Sequence, residues 1–371
     1  MTNLVLYRKY RPQKFNEVIG QKHIVQTLTN AISLEMISHA YIFSGPRGSG
    51  KTTLARLLAK AINCQKRKER EAEPCNQCSS CLEIIQGNSV DLIEIDAASN
   101  RGIDEIRELK DGIRFTPNKS KYKIFIIDEA HQLTKEAANA LLKTLEEPPA
   151  HAIFILATTE IHKMISTIIS RCQRFDFRKL TISEIIQRLE VISKKEGIEI
   201  EKPALELIAL NSSGAIRDAE SLLDQILSFS GVLRDKKIQL KEIKNLLGII
   251  EIGAISQFCD FIFRKKAAEA INFLGEIIES GSDLQGFTKT LINYLRQGLI
   301  LKIVGQKIIT GLTMEELEKL QKQVTSIKEE ELKKITNLFL EAENKIKYSP
   351  IPQLPLELAI IESCDTISNN L

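Results

Sequence analysis

The alternation of apolar and polar positions divides the chain at about residue 180. Before that point short apolar runs alternate with helical patterns. Residues 7–21 form a basic segment with a Gly turn, and a helix is predicted from about 22 to 35. Ala40 to Phe43 is an apolar run stopped by Gly45, read as a buried strand entering a loop. Lys51 to Ile62 places Leu54, Leu57, Leu58 and Ala61 on one helical face. Residues 63–88 break the pattern and read as an insertion. Further strands are predicted at Asp91 to Ile95, Lys123 to Ile127, Ile153 to Ala157 and Arg174 to Phe177. Lys123 to Ile127 is apolar after its first residue, as a parallel strand covered on both faces should be. Helices are predicted over Ile103 to Ile113 and Lys135 to Glu147, the latter ended by Pro148-Pro149. Strands alternating with helices imply a doubly wound parallel sheet.

After Leu180 the strand signal stops. Residues 181–248 read as three or four helices, with a break at Gly197 and a Ser-Ser-Gly turn at 212–214. Residues 250–371 are helical again, with breaks near Ser280-Gly281-Ser282 and Gly311 and prolines at 350, 352 and 355. The predicted layout is an α/β domain over 1–179 and two helical domains over 180–248 and 249–371. There is no internal repeat or low-complexity tail.

Composition agrees with this layout. The 371 residues suffice for about two to three domains. Hydrophobic residues at 43% and charged residues at 27% allow a packed core, and the absence of Trp with a wealth of Leu, Ile, Ala, Lys and Glu favours helix. A net charge of +3 restricts any nucleic-acid surface to a local patch. No apolar run approaches the roughly 18 residues of a membrane span. Met1-Thr2-Asn3-Leu4 starts no secretory signal, so the expected location is the cytoplasm.

Gly45-Pro46-Arg47-Gly48-Ser49-Gly50-Lys51-Thr52 fits the phosphate-loop pattern G-x-x-x-x-G-K-[ST], between a predicted strand and a predicted helix. Glycines let backbone N–H groups turn toward phosphate oxygens, and the helix N-terminus favours an anion. Lys51 would meet the β/γ-phosphates of ATP, and the Thr52 hydroxyl would ligate Mg²⁺; Thr53 follows in the same turn. Ile124-Phe125-Ile126-Ile127-Asp128-Glu129 is an apolar strand that delivers two acids to its C-terminal end, where ligands sit in open α/β sheets. Asp128 would hold Mg²⁺ through water, and Glu129 would orient the attacking water. Asp128-Glu129-Ala130-His131 also spells a helicase box, but such a helicase needs a second motor domain, and only helices follow residue 180. Thr158-Thr159 ends the fourth strand, where a hydroxyl could sense the γ-phosphate or simply close the strand.

Seven cysteines are present, four of them within residues 64–81. Cys75-x-x-Cys78-x-x-Cys81, with Cys64 upstream, supplies four thiolates, which suits a closed tetrahedral Zn²⁺ site with a structural role. An iron–sulfur cluster is the alternative, and nothing else in the chain suggests electron transfer. Cys172, Cys259 and Cys364 are isolated and read as core residues.

Tyr7-Arg8-Lys9-Tyr10-Arg11-Pro12 and Val18-Ile19-Gly20-Gln21 resemble the N-terminal box of clamp-loader ATPases of the AAA+ type, as do Leu141 to Pro149 and Ser170-Arg171-Cys172. The inserted cysteines narrow the resemblance to the gamma/tau subunits of bacterial DNA polymerase III and their partner delta-prime. The intact phosphate loop favours gamma/tau, since delta-prime is a ring subunit with a degenerate loop. A different AAA+ motor, such as a branch-migration helicase, would lack the cysteines. The resemblance implies an AAA+ α/β domain with a zinc module at 63–88, a helical lid and a helical collar that holds subunits in a ring. It implies that Tyr10, Arg11, Pro12, Val18 and Ile19 pack around adenine, and that Thr159 is a first sensor. Arg171 would be an arginine finger reaching the neighbouring subunit's ATP, and Arg217 a second sensor from the lid. Implied partners are delta and delta-prime type subunits, copies of the chain, the sliding clamp and primer–template DNA, with Arg101 a candidate DNA contact. The chain stops at 371, near the expected end of the collar, so it resembles either the short family product or the longer one cut there, and the longer product's contact with helicase and polymerase is left open.

Overall fold

A computed structural model describes residues 4–99, 112–113, 115–229, 237–238, 243, 252–279, 281, 283–305 and 314–367. Most of the helix predicted over Ile103–Ile113, together with Arg101, Ser280, Ser282 and Gly311, lies outside these residues; 112 and 113 are helical. The chain forms two units, Met1–Gln239 and Leu240–Leu371.

The first unit is built on the strands β1 (Ala40–Ser44), β2 (Leu92–Asp96), β3 (Lys123–Asp128), β4 (Ala152–Thr158) and β5 (Gln173–Asp176). They form a parallel sheet in the order β2-β3-β4-β1-β5. Its helices are α1 (Leu6–Lys9), α2 (Lys22–Ser33), α3 (Lys51–Ile62), α4 (Ser79–Gln86), α5 (Lys135–Glu146), α6 (Ser166–Ile169), α7 (Ile182–Glu196), α8 (Lys202–Asn211) and α9 (Ile216–Phe229). Every residue of β1 and β4 is buried, which is why these strands read as continuous apolar runs. Alternate side chains go to opposite faces. Tyr41, Phe43, Ile124, Ile126 and Ile155 pack with Ile24 and Leu28 of α2 and Leu54 and Leu58 of α3. Ile42, Phe125, Ile127, Phe154 and Leu156 pack with Leu141 and Leu145 of α5 and Ile168 of α6. Each such side chain, once buried, contributes about 1.5–3 kcal/mol. The register sets Ser44 beside Thr158 and Asp176, and Asp96 beside Asp128, so the polar strand ends share one edge.

Beyond Leu180 the sequence shows no strand, yet β6 (Glu199–Ile200) pairs in parallel with β7 (Lys237–Ile238). Two residues are too few to display an alternation, so periodicity could not reveal them.

The second unit holds α10 (Ile252–Phe263), α11 (Ala267–Glu279), α12 (Leu284–Val304), α13 (Met314–Thr325), α14 (Glu329–Ile346) and α15 (Leu354–Thr366). Phe258, Phe287 and Phe339 are fully buried in its core, with Phe258 and Phe287 edge-to-face at 5.0 Å. One buried polar chain fixes α10, α12 and α13. Tyr294 Oη donates to Gln323 Oε1 at 2.8 Å, and Gln323 Nε2 donates to Ser256 O at 2.9 Å and Ser256 Oγ at 3.0 Å. Gly298 lets α12 and α13 approach, since a Cβ there would lie 2.8 Å from Val324 Cγ1.

Candidate functional site

β1 runs through Ser44 into the loop 45–50, which opens α3 at Lys51. The loop needs glycine at Gly48 for two reasons. Its φ is +73°, and a Cβ would sit 2.7 Å from the Ala215 Cβ just before α9. The Ile216 N–H donates to Gly48 O at 3.2 Å, so the segment opening α9 rests directly on the loop. Lys51 is buried, 6% exposed, and its ammonium donates to Gly45 O at 2.7 Å and Pro46 O at 2.9 Å. Burial pushes its pKa below the usual lysine range, while the Glu129 and Asp128 carboxylates pull it back up. Neutral carbonyl partners leave this ammonium able to exchange one of them for a phosphate oxygen.

β3 ends at Asp128, where Thr52 Oγ1 donates to Asp128 Oδ2 at 2.8 Å. That hydroxyl and carboxylate are the oxygen pair a Mg²⁺ ion would take, directly or through water. Glu129 follows at φ +48°, a left-handed conformation that costs a non-glycine residue free energy. Its N–H donates to Asp128 Oδ1 at 3.0 Å, and its Oε2 accepts from Thr159 Oγ1 at 2.9 Å. His131 Nδ1 lies 3.0 Å from Thr158 Oγ1 and 3.5 Å from Glu129 Oε2. The acids and the threonine after β4 therefore form one hydrogen-bonded group.

The cleft is lined by the loop residues Arg47, Gly48, Ser49, Gly50, Lys51, Thr52 and Thr53, and by Asp128 and Glu129. Tyr7, Arg11, Pro12, Glu17, Val18 and Ile19 close a second side, and Leu180, Arg188, Ile216, Arg217 and Glu220 the third. The Arg217 guanidinium lies 4.8 Å from the Tyr7 ring centroid, and its hydrogen bond holds the Tyr7 phenol below its usual pKa. Arg188 Nε donates to Glu220 Oε1 at 2.8 Å in a buried pair joining α7 to α9, and Arg188 also donates to Tyr10 O. Burial raises the Glu220 pKa against the pull of Arg188. Gln21, 1% exposed, accepts from Arg178 N at 3.3 Å and donates to Arg178 O at 2.8 Å, fastening the link between β5 and α7.

Two sequence-predicted residues lie elsewhere. Tyr10 does not line the cleft; its ring sits under Lys9 and Lys195, and Tyr7 takes the lining position. Arg171 is outside its own chain's cleft, donating to Glu146 Oε1 at 2.6 Å and Thr167 O at 2.7 Å. Gly45 and Pro46 contribute the carbonyls that hold Lys51 rather than a lining surface.

Away from this cleft, the Sγ atoms of Cys64, Cys75, Cys78 and Cys81 all lie within 4.8 Å of one another. Four sulfurs about 2.3 Å from one tetrahedral ion lie about 3.8 Å apart, whereas a multi-iron cluster spreads its ligands wider. The set therefore fits a single soft ion. N–H groups already point at the sulfurs, from Cys75 to Cys64 Sγ at 3.3 Å and from Gln77 and Cys78 to Cys75 Sγ at 3.4 and 3.3 Å. Burial alone would raise the Cys75 thiol; these N–H groups and the neighbouring thiols outweigh it and bring its pKa to about 6. Cys259 and Cys364 lie in the core of the second unit, and burial raises the Cys172 pKa to about 11.

Residues 20–181 match the family described as DNA polymerase III, delta subunit, and residues 184–232 that of the DNA polymerase III clamp loader subunit, ATPase lid domain. Residues 238–369 match DNA polymerase III subunits gamma and tau domain III. The chain is 35% identical over 370 residues to DNA polymerase III subunit gamma of Buchnera aphidicola subsp. Acyrthosiphon pisum, covering 99% of this chain and 100% of that one. The chain belongs to the DNA polymerase III gamma/tau family. It is also 41% identical over 372 residues to the tau subunit of Bacillus subtilis and 34% identical over 363 residues to that of Escherichia coli. It covers 99% and 98% of itself in these matches but spans only 64% and 55% of the two tau proteins.

Within this gamma/tau chain, sequence reading missed Tyr7, Glu17, Leu180, Arg188 and Glu220 as lining residues. Arg188 had a signal. It falls in the buried stripe of Ile185, Leu189 and Ile192 on α7, where a charge needs a partner. Nothing local marked Glu220 as that partner.

Proposed function

We propose that this chain is an ATP-hydrolysing motor subunit of a clamp loader, placing a sliding clamp on primer–template DNA in the bacterial cytoplasm. The observation that carries the reading is the Thr52–Asp128 contact at 2.8 Å, set between the Lys51 ammonium and the Glu129 carboxylate. It unites residues that lie far apart in sequence at the carboxyl edge of the sheet, where open α/β folds bind ligands.

Thr52 and Asp128 would hold Mg²⁺, which would supply positive charge against the phosphates. Lys51 and the N–H groups of the loop hold the phosphates. Glu129 orients water in line with the terminal phosphate and accepts its proton; the bond from Thr159 aims its carboxylate, which gives Thr159 a sensing role. Arg217, reaching in from α9, makes lid position depend on the phosphates. Arg171 serves the adjoining subunit, since it lies outside its own cleft. Zn²⁺ in the four cysteines is structural, because four protein ligands leave no position for substrate. Delta and delta-prime type subunits and further copies of the chain complete the ring, and DNA is gripped chiefly through phosphates. Among the described residues no helix is long and apolar enough to cross a membrane.

The test is ATP turnover of Lys51→Ala within the assembled complex, together with ATP-dependent capture of the sliding clamp and delta-type subunits. Turnover should fall by at least about 100-fold, the scale of losing a phosphate-stabilising charge. Unchanged turnover ends the reading.

A further inference from the structure

The segment forming the second side of the cleft is held from behind by the cysteine module. The Glu73 carboxylate accepts from two consecutive N–H groups, Phe15 at 2.8 Å and Asn16 at 2.9 Å. Those groups open the 3₁₀ turn Phe15–Glu17, where N–H donors have no partner within the turn. Asn76, on the other side of Pro74-Cys75, donates from Nδ2 to Gln13 O at 3.2 Å. Gln13 is fixed three times more, its Nε2 donating to Arg11 O at 3.1 Å. Its Oε1 accepts from the buried Lys60 of α3 at 2.6 Å, and its N–H donates to Glu17 Oε2 at 2.7 Å. The stretch strapped in this way supplies Arg11, Pro12, Glu17, Val18 and Ile19 to the cleft.

Glu73 and Asn76 flank Cys75, so their side chains are aimed by the same backbone that brings the four sulfurs together. Nothing in the hydrolytic chemistry uses Glu73. We infer that Glu73 is a positioning residue: through it the closed cysteine module sets the wall against which the nucleotide's base rests, so that metal occupancy and nucleotide affinity are linked. The inference rests on the nucleotide reading of the cleft. A charged acceptor on two N–H groups is a strong tie, and a wall held in place beforehand spares binding the cost of ordering it.

The experiment uses the full chain in its assembled complex, with Glu73→Ala, Glu73→Gln and Lys51→Ala. Amide hydrogen exchange at Phe15 and Asn16 is read without nucleotide, and Kd for a fluorescent ATP analogue, KM, kcat and zinc content are measured beside it. In Glu73→Ala both amides should exchange faster, and Kd and KM should rise by about three- to tenfold with kcat within about twofold and zinc retained, because a ground-state wall rather than the reacting atoms is disturbed. Glu73→Gln, which keeps one acceptor oxygen, should fall between. Chelation of the metal should raise Kd in wild type but add little in Glu73→Ala. Should Glu73→Ala fold poorly or lose its metal, the Gln variant and chelation decide. Unchanged Kd with faster exchange, or equal exchange in variant and wild type, overturns the inference. Loss of nucleotide binding in Lys51→Ala with no change in Glu73→Ala sinks it while leaving the motor reading intact. A wild-type complex that binds no nucleotide overturns both.

Discussion

Thr159 shows what one hydroxyl can decide. It follows β4, and its Oγ1 donates to Glu129 Oε2 at 2.9 Å, so it holds the carboxylate proposed to orient water. Glu129 already sits at φ +48°, and the bond helps keep it there. Replacing Thr159 by Val removes the donor and keeps the shape. We expect kcat to fall by about tenfold or more with KM for ATP within about twofold, since the loss falls on the step and not on binding. Steady-state turnover at saturating ATP checks this, and a fall confined to KM would contradict it. The family resemblance implied a sensor at Thr159 but carried no sign of its partner, because a hydrogen bond between two strand ends depends on their order in the sheet. The same limit explains Tyr7 and Tyr10. Three positions apart at the start of the chain, they look equivalent on paper. Only the contact of Tyr10 O with Arg188, and of the Tyr7 ring with Arg217, assigns Tyr7 to the cleft.

At the scale of elements, the junction between β5 and α7 governs how the lid helices meet the phosphate loop. Thr181 and Glu184 form a reciprocal cap on α7, and Glu184 also pairs twice with Arg178, at 2.6 and 2.9 Å. The Arg178 hydrogen bonds lower the Glu184 pKa from 4.5 to about 2. A carboxylate held below its unfolded value stabilises the fold fully above the unfolded pKa and loses that contribution as pH falls toward the folded one. The window here is pH 4.5 down to about 2. Because Arg178 is 46% exposed, solvent screening limits the contribution to about 1 kcal/mol. Glu184→Gln should therefore lower stability by about that amount at neutral pH. The gap to wild type should close as the medium is acidified through the window, as followed by urea denaturation. A gap that widened on acidification would show that the pair is not the cause. The strands β1, β3 and β4 were legible because burial on both faces leaves a run of apolar residues. The cap went unread, although Thr-x-x-Glu before an apolar helix is its signature. The short β6–β7 pair was not legible, for its two-residue strands carry no period.

The two units have separate cores, and the cleft of the first gathers the loop, the acid pair and residues of the lid but not Arg171 of the same chain. That arginine is tied to Glu146 and Thr167. If it serves the next subunit, two different defects should rescue each other. A ring of Lys51→Ala chains has arginines but no competent site; a ring of Arg171→Ala chains has sites but no arginines. In an equal random mixture a site works when it belongs to an Arg171→Ala chain and its neighbour is Lys51→Ala. That combination arises at about one site in four, and each such site gains the transition-state stabilisation that an arginine in trans provides. Mixed complexes should then turn over ATP at about a quarter of the wild-type rate, well above either parent alone. Turnover of pre-mixed pools, measured against the separately assembled parents, reads this directly. If the mixture gives only the mean of its parents, Arg171 acts within its own chain, and its distance from the cleft must be closed by a movement of α6 instead.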